Sequence, residues 1–179
     1  LSRDGTRMSW IRNGDLFIGT PAAKPAVGPI VRSAQYAVLR PDGAQVGALV
    51  MSFVFFGDYL YVYDAGGATV FDGPSPANYS LGWAPDGTVL LPWHGDPRIG
   101  ICAIARDPDG GWACARRVAA DPGADLDFPA VSPDGRLLAV QDGGRIAVFD
   151  YASGAFLRFV TAGPTDTAPT WSPDSAAIA

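Results

Sequence analysis

A single histidine, His94, stands in the stretch PWHGDPRIG at 92–100, two residues before Asp96 and four before Arg98. An imidazole beside a carboxylate supports two kinds of chemistry, general base catalysis or metal ligation. Both fail on what accompanies it. A metal site takes three or four ligands, and no second His and no Cys pair lies at ligand spacing. A Ser-His-Asp triad would have to use His94, and no G-x-S-x-G elbow is present. The sequence therefore names no catalytic residue, no metal and no cofactor, and His94 reads as a polar loop position. The acidic run DPGADLD at 121–127 has the composition of a cation loop. It lacks the spaced oxygen ligands and terminal Glu that an EF-hand needs.

Two cysteines, Cys102 and Cys114, flank the turn-forming DPDGG at 107–111. Folding about Pro108 places them opposite one another on a hairpin, and directly opposed Cα atoms lie about 4.5 or 5.5 Å apart, within disulfide range. A one-residue change of register would offset them. The expectation is a disulfide rather than two buried thiols, and with it an extracytoplasmic location, since cytosolic thiols stay reduced. Of the five tryptophans, Trp83 and Trp171 recur at one place in a repeated phrase and read as packing residues. Trp93 and Trp112 are freer, but nothing pairs them into a stacking platform.

The elements that must position these residues come from that phrase. Five segments align on a four-residue turn: LSRDGTRMSW, VLRPDGAQVGAL, LGWAPDGTVLLPW, AVSPDGRLLAV and TWSPDSAAIA. Their aspartates, Asp4, Asp42, Asp86, Asp134 and Asp174, are 38, 44, 48 and 40 residues apart. A period of about 40 to 50 residues matches one four-stranded propeller blade. The turn chemistry explains the recurrence: Pro pre-sets φ at the second position, Asp fits the third and Gly takes the left-handed fourth. Arg3 replaces the Pro in the first copy and Ser175 the Gly in the last. Each interval supplies three more strands, such as RLLAVQD, RIAVFDY and AFLRFVT in the fourth unit, with no helical periodicity. A β-sandwich spaces its strands similarly but requires no phrase repeated every four strands. The expected fold is all-β, a β-propeller of four-stranded antiparallel blades.

These phrases resemble the TolB-like, or WD40-like PD40, repeat, whose pattern runs Pro-x-Trp-Ser-Pro-Asp-Gly before an apolar strand. Pro169, Trp171, Ser172, Pro173, Asp174, Ile178 and Ala179 match it, as do Pro129, Ser132, Pro133, Asp134, Gly135, Leu138 and Ala139. The unit at Trp83 matches in part, and the first two copies lack the Trp and the preceding Pro. The resemblance covers residues 1–179 as one partial propeller domain. It implies that the phrase before each turn is the innermost strand and the run after it the second. On that assignment Leu1 and Ser2 are a stump of an inner strand and AAIA at 176–179 begins a second strand. The expectation is a chain that forms part of a ring of six to eight blades.

In such a fold the outer-to-inner connections and the loops between second and third strands share one face around the channel. That rim would carry Tyr79, His94, Asp96, Arg98, Asp125, Asp127, Asp142 and Asp166, with Asp127 and Asp166 nearest the channel. Composition narrows the ligand. The net charge is -5, the 13 basic residues are scattered, and no basic cluster exists to track phosphates, which argues against nucleic acid. No apolar run approaches the length that spans a bilayer, so any membrane tether lies outside this segment. The expectation is a non-catalytic cell-envelope propeller that binds a protein or peptide through the channel face. The alternative is the gating propeller of a larger serine peptidase or another multidomain enzyme. A sugar or small-ligand sensor ranks third.

Overall fold

The computed structural model describes every residue except 23–26, 53–56, 76–79, 94–99, 107, 110–111, 121–125 and 164. Among the described residues there is no helix, and fifteen strands run in chain order. They form four antiparallel meanders, in each of which every strand pairs with the next one in sequence. The chain divides into two compact units, Leu1–Leu81 and Gly82–Ala179.

The first unit holds two sheets. One is three-stranded: β1 (Met8–Arg12), β2 (Asp15–Gly19) and β3 (Val27–Val31). The other is four-stranded: β4 (Ala34–Leu39), β5 (Gln45–Ser52), β6 (Gly57–Asp64) and β7 (Thr69–Pro74). Alternation decides which face of each is buried. Leu16 and Ile18 of β2 pack on Val46, Ala48 and Val50 of β5, with Leu39 and Tyr63 closing the layer. Burial raises the Tyr63 phenol far above its ordinary range, so this hydroxyl stays neutral. Phe17, out of phase with Leu16, turns to the other face and stacks on Trp10 with ring centroids 5.6 Å apart.

The second unit repeats the arrangement with β8 (Gly82–Trp83), β9 (Val89–Trp93), β10 (Gly100–Arg106) and β11 (Trp112–Ala120), then β12 (Leu126–Val131), β13 (Leu137–Asp142), β14 (Arg145–Asp150) and β15 (Phe156–Phe159). Leu90, Ile101, Ala103 and Val118 of the first sheet meet Leu126, Leu138, Val140, Ala147 and Phe149 of the second. Burying a side chain such as Phe149, only 1% exposed, contributes about 2 to 3 kcal/mol. The two inner strands come unusually close: a Cβ on Gly82 would run into the carbonyl oxygen of Pro129. Glycine at 82 is therefore a packing requirement between neighbouring sheets.

The Trp of the repeat does what its position in the phrase implies. Trp83 is 5% exposed within β8. Trp171, paired with Ile178 across the fifth turn, donates its indole N–H to the Ala130 carbonyl of β12 at 2.9 Å. The fifth copy thus begins a hairpin laid against the preceding sheet.

The disulfide forms between Cys102 and Cys114, with Cα atoms 5.3 Å apart. The expectation that the two are directly opposed is corrected by the register, in which Cys102 faces Arg117 and Cys114 faces Ile104. Irregularities at Ile101/Cys102 and Ala103/Ile104 shift the pairing, and the bond crosses the β10–β11 ladder diagonally.

Candidate functional site

Each sheet has two ends, and their chemistry differs. At one end sit the repeated turns, where the aspartates bind their own loops. Asp4, Asp42, Asp86, Asp134 and Asp174 each accept a hydrogen bond from the backbone N–H two residues on, at 2.9 to 3.1 Å. In three copies a serine completes the device. Ser2, Ser132 and Ser172 each donate Oγ–H to the turn aspartate at 2.6 Å. Each also accepts an N–H from five residues on, those of Arg7, Leu137 and Ala177, at 2.9 Å. Stabilising the anion in this way lowers the carboxyl pKa. Ser2 and then the Thr6 N–H bring Asp4 down to about 2. Ser132 and Ser172 lower Asp134 and Asp174, and the Thr88 N–H lowers Asp86. These carboxylates are structural, as the repeat implies.

Ser175 shows how the fifth turn tolerates the loss of glycine. It sits at φ 63, the left-handed region that Gly135 occupies at φ 76 in the fourth turn. Its Oγ accepts the Asp134 N–H at 3.0 Å, tying consecutive turns together. A side-chain hydrogen bond thus offsets part of the backbone strain that the substitution introduces.

The opposite end is where the rim is expected. Tyr79, His94, Asp96, Arg98 and Asp125 lie outside the described residues. Asp127, Asp142 and Asp166 are all found at this one end of the β12–β15 sheet, as the strand directions require. Leu126 pairs with Asp142 and Asp142 with Arg145, which sets the start of β12 beside the β13–β14 turn. The Asp166 N–H donates to the Gly144 carbonyl of that same turn at 2.9 Å.

The three do not converge on a point. Asp142 shares the face of Leu138 and Val140, is 8% exposed, and pairs with Arg145 at 3.4 Å. The Arg145 guanidinium lies over the Phe159 ring, 3.7 Å from its centroid. Asp127 pairs with Gln141 and therefore takes the other face, where the Gln141 Oε1 is buried without a hydrogen-bond partner. Asp166 lines a cleft of about 420 Å³ on that same face, bounded by Ile146, Arg158, Thr161, Trp171 and Ile178. Among the described residues no three His, Cys, Asp or Glu are grouped to hold a metal ion. These three carboxylates therefore occupy separate places on the two faces of this sheet end, with Asp142 held by Arg145.

Two features of the rim escaped sequence reasoning. Phe128 at φ 50 and Ala168 at φ 51 both adopt the left-handed region immediately before a proline, at equivalent places in the fourth and fifth copies. Neither residue type favours that region, so composition carries no signal for it. The kink at Phe128 falls within the register break between Asp127 and Ala130 and re-aims the strand just past Asp127. The second feature is Gly163, where a Cβ would approach Asp166 Oδ2 to 2.8 Å, so the absent side chain leaves room for that carboxylate.

No protein-family model matches the sequence, and no curated protein matches it. Solved structures do. A protein assigned as TolB from Agrobacterium tumefaciens superposes with a TM-score of 0.70 at 22% identity, over 97% of this chain and 64% of its own. TolB from Acinetobacter baumannii superposes with a TM-score of 0.71 at 20% identity, over 97% of this chain and 46% of its own. Hydrazine synthase of Kuenenia stuttgartiensis gives a TM-score of 0.56 at 16% identity, over 98% of this chain and 65% of its own. The chain thus spans less than two thirds of the length of these TolB structures. At such identities the likeness speaks to fold alone, and it agrees with the four-stranded meanders: the chain has a β-propeller fold similar to that of these TolB structures.

Proposed function

We propose that this chain is a non-catalytic scaffold of the cell envelope that binds a protein or peptide through the rim at the Asp127–Asp142–Asp166 end of its blades. The contrast between the two blade ends carries this reading. Aspartates at the turn end spend their hydrogen-bonding capacity on their own loops, whereas Asp166 presents its carboxylate to a cleft. Loops at one end of a rigid sheet stack are a common location for binding residues. Tyr79, His94, Asp96, Arg98 and Asp125 belong to the same rim on this reading. The Cys102–Cys114 bond supports an oxidising, extracytoplasmic compartment. The proposed domain, residues 1–179, is part of a ring of six to eight blades, consistent with the share of the TolB structures that it spans.

The test screens the immobilised chain against a displayed library of twelve-residue peptides and compares it with Asp127→Ala and Asp166→Ala. Losing one charge-assisted hydrogen bond costs about 1.5 to 3 kcal/mol, a weakening of roughly ten- to hundredfold. We expect that weakening with no fall in melting temperature. Lower stability with unchanged binding would reassign both residues to loop capping. The second reading, a gating propeller within a larger enzyme, is favoured by the fold shared with a chain of hydrazine synthase. A hydrolase or other catalytic domain encoded alongside this segment would select it.

A further inference from the structure

We draw no further inference here: the strongest candidate, the cleft between the β14–β15 face and the hairpin closed by Trp171 and Ile178, belongs to the site already described, since Asp166 lines it.

Discussion

Replacing Gly82 with alanine sets a methyl group against the Pro129 carbonyl oxygen, with the Pro129 Cγ 3.3 Å from the new Cβ. The nearest obstacle is backbone on β12, so no flexible side chain can swing away to make room. An ordinary contact needs about 3.5 Å, and the carbonyl oxygen lies far inside that, so β8 and β12 must part by about 1 Å or more. A gap of that size forfeits roughly a quarter to a half of the dispersion energy of the atoms lining it. Overpacking strain of about 1 to 3 kcal/mol adds to that loss. We expect Gly82→Ala to lose about 3 kcal/mol, which for a chain of this size lowers the melting temperature by about 6 to 12 °C. Thermal and urea unfolding followed by circular dichroism measure both quantities. Gly143→Ala is the control: its φ of +55 strains an added side chain, yet nothing lies within 4 Å of the new Cβ. That variant should lose only about 1 to 2 kcal/mol. A Gly82→Ala protein that melts no lower than the control would refute the close approach of the inner strands.

Ser132→Ala removes an acceptor from the Leu137 N–H and a donor to Asp134 in a fully buried position, so urea unfolding should show a loss of about 1 to 3 kcal/mol. The Asp4, Asp86, Asp134 and Asp174 carboxyls are lowered in the folded chain, so their stabilisation is present above the unfolded value near 4 and disappears as pH falls through the folded values, about 2 for Asp4. Melting temperature should therefore drop between about pH 4 and pH 2, and by less in Asp134→Asn; equal slopes for the two proteins would count against the Ser132–Asp134 bond. The double variant Cys102→Ala/Cys114→Ala opens a loop of sequence separation 12 and should lose about 3 kcal/mol, while the unreduced wild type, once denatured, should titrate with no free thiol.

Much of the fold was legible because its signals are local. Pro-Asp-Gly sets a turn from three residues, and period-2 runs such as RIAVFDY mark strands without reference to anything distant. The expected fourth-unit strands over 136–142, 145–151 and 155–161 are realised as Leu137–Asp142, Arg145–Asp150 and Phe156–Phe159. The cysteine pairing was legible as a bond, since a hairpin brings 102 and 114 together. Its diagonal geometry was not, because register shifts arise from how the β10–β11 ladder settles against its neighbours. Of the expected rim, the placement of Asp127, Asp142 and Asp166 at one end of the β12–β15 sheet was legible, but the faces they take were not: Asp142 and Asp127 diverge through strand parity and a break beside Phe128.

By itself the amino-acid sequence determined the repeat, its blade-sized period, the structural role of the turn aspartates and the absence of a recognisable catalytic constellation. Tertiary structure decided what no window of sequence contains. Gly82 must be bare because a strand 47 residues further along presses its backbone against it, and Ser175 is tolerated because the preceding turn lends it a hydrogen bond. It also decided that Asp166 reaches a cleft walled by Ile146 and Trp171. The division follows from range: φ preference and alternation act between adjacent residues, whereas close approach and burial exist only once separate sheets have packed.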